Sequence, residues 1–128
     1  MKEIANTASH TLAVDPGKNR IYCTMTGQAE LPEISTFFHE WAYAMSLVSS
    51  GFSVLNDVSH IQTLTRDWIT KFAYIRTTLL KARLSGMAEV FPENLAAKIK
   101  SSHIKKIFTN RNDAEVWLDN IDQPGWTE

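Results

Sequence analysis

Few residues of this chain have both the type and the spacing to do chemistry. The four histidines, His10, His39, His60 and His103, stand at no metal-ligand spacing from one another. His39-Glu40 begins like the helical motif of zinc proteases, but Tyr43 stands where a second imidazole must grip the metal from the next turn, so that site is excluded. Cys23 is the single cysteine, which rules out an internal disulfide and a CxxC redox or zinc pair. It alternates with Ile21 and Met25 and is expected on an inward strand face, where a thiol behaves as a small hydrophobe rather than a nucleophile. The five glycines are scattered singly and form no GxSxG elbow, Walker-type loop or GxGxxG turn. No cofactor and no metal is implied.

One polar segment remains, Asn56 to Asp67, which follows a short apolar strand and opens a helix. Open α/β sheets bind their ligands or partners outside the carboxyl ends of strands, so position favours function here. Asp57, Ser59, His60, Thr63, Thr65, Arg66 and Asp67, with Lys71 one helical turn further on, form the candidate partner-binding set. The same residues also serve local structure: Asp57 and Ser59 can hold a turn, and Thr65 can cap the helix that follows. An enzyme built on His60, Asp57 and a nearby hydroxyl is a third reading, for which spacing places no base, nucleophile and orienting group together.

The elements that must position this segment are legible from hydrophobic period. His10 to Asp15 and Arg20 to Thr26 alternate around Asp15-Pro16-Gly17-Lys18-Asn19, which predicts a β-hairpin, with Pro presetting φ and Gly accepting a positive one. From Leu31 the period becomes helical through Ile34, Phe38, Trp41, Met45 and Val48, with Pro32 in the first turn, Glu30 and Glu33 beside the positive dipole end, and Gly51 as the stop. Phe52 to Leu55 reads as a buried central strand. Trp68, Ile69, Phe72, Ile75, Leu79 and Leu80 mark a second long helix. Met87 to Phe91 reads as a strand, Pro92 to Ser101 as a short helix, and Ile104 to Thr109 as a fifth strand. A last helix follows, with Asn112 and Glu115 as a capping box and Ala114, Trp117 and Leu118 as its apolar side. The aromatic residues Phe37, Phe38, Trp41, Trp68, Phe72 and Trp117 fall on helix stripes and belong to the core, with some able to line a pocket. The order β-β-α-β-α-β-α-β-α predicts an α/β domain: a mixed, mostly parallel five-stranded sheet with an N-terminal hairpin and covering helices.

At 128 residues, 44% hydrophobic and 21% charged, the chain makes one domain with a core that needs no disulfide or metal. Residues 10–120 are expected to form it, between an extension over 1–9 and an acidic tail over 121–128 in which Trp126 is exposed unless it docks. The net charge of −1 is unevenly spread: residues 66–111 hold ten Lys/Arg against three Asp/Glu, while the flanking stretches are acidic. Lys and Arg there can coat solvent faces of helices, or make a landing face for an acidic partner. Nucleic acid is disfavoured, because the pI is about 6.4 and no basic-aromatic binding motif occurs. The absence of a signal-like h-region and of a long apolar run points away from export and membrane spanning, and the lone cysteine fits the cytoplasm.

The order of elements, with Arg20 to Gly27, Gly51-Phe52-Ser53-Val54-Leu55-Asn56-Asp57-Val58-Ser59 and Asp113-Ala114-Glu115-Val116-Trp117-Leu118, resembles the SpoIIAA-like, or STAS-like, proteins over about residues 10–120. The resemblance implies a small helix-backed sheet that in the signalling members acts as an anti-sigma-factor antagonist, binding a protein partner under control of serine phosphorylation. Those members carry Asp-Ser-Ser-Gly at the start of the helix after the central strand, the second serine accepting phosphate. An ungapped reading from Asp57 places Thr65-Arg66-Asp67-Trp68 there, so Asp67 holds the acceptor position and cannot be phosphorylated as a serine is; Ser59, Thr63 and Thr65 are nearby hydroxyls. The expected function is a non-enzymatic cytoplasmic protein-interaction module, with the 57–67 loop and the basic second helix as contact surface and a homo-oligomer possible. The alternative is a binding protein for a small apolar or lipid-like ligand held between the long helices and the sheet, by analogy with the CRAL-TRIO lipid-transfer architecture.

Overall fold

The computed structural model describes residues 1–27, 32–61, 66–102 and 104–121. Thr63 and Thr65 of the candidate set, Leu31 and Glu30 at the expected start of the first long helix, His103, Trp126 and the side chain of Trp68 lie outside the described residues.

Six strands, β1 (Lys2–Asn6), β2 (His10–Asp15), β3 (Arg20–Met25), β4 (Ser53–Asp57), β5 (Gly86–Val90) and β6 (Lys105–Phe108), lie in one sheet in chain order. β1–β2 and β2–β3 are antiparallel, and the three remaining pairings are parallel. The α/β class and the mixed, mostly parallel sheet are as the periodicity predicts, but the strands among the described residues number six rather than five. The added strand comes from the stretch expected as an extension over residues 1–9. Its register shifts between Glu3 and Ala5, which interrupts the alternation that announces a strand in sequence. Lys2 and Glu3 are exposed on this edge, where charge discourages pairing with another chain.

Helices α1 (Ile34–Ser46), α2 (Arg66–Lys81) and the single turn α3 (Glu93–Ala96) connect the parallel strands, and α4 (Arg111–Ile121) follows the last one. Because every crossover steps the same way across the sheet, keeping one hand puts these connectors on one face. There Phe37, Trp41 and Ala44 of α1 and Phe72, Ile75 and Leu79 of α2 pack on Leu12, Ile21, Cys23, Val54 and Met87. α4 covers the opposite face, setting Ala114 and Leu118 on Tyr22, Leu55, Ala88 and Val90. Strand β4 runs between β3 and β5 and is buried throughout, as is Phe52 before it, so the expected central strand is central and runs on through Asn56 and Asp57. Side chains alternate between faces along a strand, so Val54 and Asn56 look toward α2 while Leu55 and Asp57 look toward α4.

Several element ends differ from expectation for identifiable reasons. Glu33 is the N-cap of α1, its carboxylate accepting from the Ser35 and Thr36 amides, so Pro32 precedes the helix instead of occupying its first turn. α1 stops at Leu47, well before Gly51, whose positive φ serves the turn into β4 and whose amide donates to the Arg83 carbonyl. In the hairpin turn the left-handed residue is Asn19 rather than Gly17, a conformation that asparagine tolerates. Its side chain accepts from the Ser49 amide and donates to the Ser49 carbonyl, fastening the turn to the α1–β4 connection. The cap of α4 is Asn110, which accepts from the Asp113 amide. Glu115 is drawn away from the expected capping box by Tyr22, which donates to it, and by the Lys18 ammonium at 3.2 Å.

Candidate functional site

The candidate residues after β4 divide between two surfaces. Asp57 is buried toward α4, where Oδ2 lies 3.3 Å from Arg111 Nη1, and Oδ1 accepts from the Ser59 amide at 3.0 Å and the Ser59 hydroxyl at 2.6 Å. These bonds make an aspartate turn that lets the chain leave the sheet. His60 follows and is exposed, whereas the carboxylate with which it would have to act is enclosed. Arg66, Asp67 and Lys71 lie on α2, on the other side of the sheet; Asp67 Oδ2 is 3.0 Å from Lys71 Nζ, an i,i+4 pair in the first turns. Asp57 and Ser59 are thus local supports under α4, and the α2 charges form a separate surface.

A second surface, not singled out from sequence as a site, lies between α1 and α2. Phe38, Trp41, Ala42 and Met45 on α1 and Tyr74, Ile75 and Thr78 on α2 line a groove of about 380 Å3. Each helix spends part of its apolar stripe on the sheet and leaves the adjoining positions to face the neighbouring helix. The rings of Phe38 and Tyr74 stack with centroids 5.7 Å apart, and Trp41 meets Phe72 edge-to-face at 6.4 Å. Trp41 is buried, and its indole N–H finds no acceptor among the described residues. The stripe periodicity located these side chains; only the spacing of two helices remote in sequence shows that they leave a groove.

A third cluster joins β2 to α1. His10, 2% exposed, places Nε2 2.6 Å from Glu40 Oε1 and Nδ1 2.8 Å from Ser9 Oγ, while Thr7 Oγ1 lies 3.2 Å from Nδ1. Thr7 also donates its hydroxyl to the His10 carbonyl and accepts from the His10 amide, closing the β1–β2 turn. The half-motif His39-Glu40 therefore separates: Glu40 turns inward to His10 and His39 stays exposed. Among the described residues no group of three or more His, Cys, Asp or Glu side chains is placed to hold a metal ion. Cys23 is fully enclosed, and burial, with smaller contributions from Glu40 and Asp57, pushes its thiol far above the ordinary range.

No family model, curated protein or solved structure matches the chain. Among the described residues no helix is long and apolar enough to cross a membrane.

Proposed function

We propose that this chain is a non-enzymatic cytoplasmic binding module whose groove between α1 and α2 takes a small apolar or lipid-like ligand. The observation that carries this reading is the groove itself: its volume of about 380 Å3 falls within the range of small-molecule pockets, and none of its seven lining side chains is charged. Asp57 is enclosed and held by Arg111 and Ser59, so this reading rests on the groove rather than on that residue.

The direct test is titration of the protein with decanol, followed by tryptophan fluorescence and by native mass spectrometry of the complex. Saturable binding is expected, and Ala42→Trp, which projects from an exposed position into the groove, should abolish it while leaving the fold intact. No saturable binding, or equal binding by the variant, would sink the reading.

A protein partner on the outer side of α2 is the second reading. Leu80 is exposed on α2, which also carries the exposed Arg66 and Lys81 and the half-buried Lys71, an apolar and basic mixture suited to an acidic partner rather than to nucleic acid. The element order supports the SpoIIAA-like resemblance, and with it a signalling role, in which Asp67 would stand fixed where a switchable serine is expected. Charge reversal at Arg66 and Lys71 should release a partner held this way, and size-exclusion chromatography would register a homo-oligomer formed through the same face.

A further inference from the structure

On the flank of α2 that faces β5, β6 and the turn after α3, there is a recess of about 130 Å3. Its apolar walls include Ile69, Phe72 and Ile99, and its polar end is Arg76, Glu89 and Lys105. Glu89 projects from the middle of the parallel sheet and is 1% exposed. Its Oε1 lies 3.3 Å from both Arg76 Nη2 and Lys105 Nζ, and its Oε2 accepts from Asn56 Nδ2 at 3.1 Å. A carboxylate taken out of water needs a positive partner to offset its lost hydration, and this one has two. Two cations against one anion leave the cluster with one net positive charge. Arg76 is steadied over the Phe72 ring at 5.6 Å, and its Nε–H is buried with no acceptor among the described residues. The acceptor Asn56 Oδ1, next to the Glu89 contact, is likewise unpaired. The recess thus pairs a polar end carrying a surplus positive charge with apolar walls.

We propose that this recess binds a small organic monoanion of the carboxylate class, its carboxylate against Arg76 and Lys105 and its compact apolar body between Ile69, Phe72 and Ile99. One surplus charge matches a monoanion better than a doubly charged phosphate ester. The volume, below that of pockets for drug-sized ligands, selects a short branched chain or single ring. Glu89 holds the two cations in place and does not itself contact the ligand's charge. The recess is independent of the α1–α2 groove, whose α2 walls are Tyr74, Ile75 and Thr78.

The test titrates the full chain with isovalerate, its neutral amide isovaleramide, and inorganic phosphate, following backbone amide resonances by NMR. Isovalerate should shift the Glu89 and Lys105 amides saturably and bind roughly tenfold or more tightly than isovaleramide, because a charge-assisted bond is lost with the neutral analogue. Lys105→Gln should weaken isovalerate by roughly tenfold. Ile99→Phe fills the recess while keeping every charge and should abolish binding. Arg76→Lys keeps the charge that Glu89 needs but loses the planar fork, and should bind more weakly than the unaltered chain. Absence of a saturable shift, equal binding of acid and amide, tighter binding of phosphate, or undiminished affinity in either Lys105→Gln or Ile99→Phe would overturn the proposal.

Discussion

His10 Nε2 and Glu40 Oε1 lie 2.6 Å apart, and this contact ties the β-hairpin to α1 across thirty residues of chain. With Nε2 facing a carboxylate, the other ring nitrogen faces the hydroxyls of Ser9 and Thr7, so each polar atom of the enclosed imidazole has a partner. Glu40→Ala removes one of these partners from a buried donor and should lower the unfolding free energy by about 1–3 kcal/mol. Glu40→Gln, which still accepts a hydrogen bond, should cost less. Urea unfolding of the two variants measures the difference; equal stability of Glu40→Ala and the unaltered chain would show that the contact contributes nothing.

Gly27 holds a positive φ where the chain leaves β3, and a Cβ added there would meet the His60 carbonyl oxygen at 2.3 Å. Backbone against backbone gives no flexible side chain that could yield. Gly27→Ala should therefore destabilise by about 1–3 kcal/mol through the left-handed conformation and the displaced turn together. Gly51 also has a positive φ but open space around it, so Gly51→Ala should cost less. Thermal unfolding of both variants tests the ordering, and the reverse ordering would refute the contact argument.

Cys23 should be silent toward thiol reagents in the folded protein. It is wholly buried on β3, and loss of hydration pushes its thiol well up, so the reactive thiolate is scarce and shielded. Ellman's reagent should react only at the rate of unfolding, and fully in denaturant. Rapid modification without denaturant would place the thiol at an open position instead.

Two carboxylates should make stability fall in acid. Hydrogen bonds from the Ser35 hydroxyl and from the Thr36 and Ser35 amides hold Glu33 down from 4.5 to about 2. For Asp119 burial pushes the carboxyl up, but hydrogen bonds from Arg20 and Lys18 outweigh it and leave the value below 3.8. Both folded values lie below the unfolded ones, so the unfolded chain takes up protons first as pH drops. Their stabilisation is complete above the ordinary carboxylate range and is lost as pH falls toward about 2. The combined Glu33→Gln and Asp119→Asn variant should show a shallower decline of unfolding free energy between pH 4.5 and about 2. Superimposable slopes would contradict the assignment.

The start of the 57–67 segment has a position that is legible in the sequence and an orientation that is not. Its place after the central strand was legible, because Phe52 to Leu55 is an apolar run too short for a helix and bounded by turn residues. Which face Asp57 takes was not, since alternation fixes only that neighbouring side chains oppose each other. Arg111, 54 residues away, supplies the partner that makes the α4 side the satisfied one.

The amino-acid sequence by itself determined the element types, the hairpin followed by alternating units and hence the α/β class, because hydrophobic period and turn chemistry are local. It also excluded a helical zinc pair and an internal disulfide by residue type alone. Tertiary structure decided everything that depends on which surfaces meet: the sixth strand hidden by a bulge, the groove left between two helices, and Glu89 brought between Arg76 and Lys105 from three separate elements. The physical reason is that burial, charge compensation and empty volume are properties of juxtaposed surfaces, and no spacing along one chain encodes the gap between two stripes that each look like core.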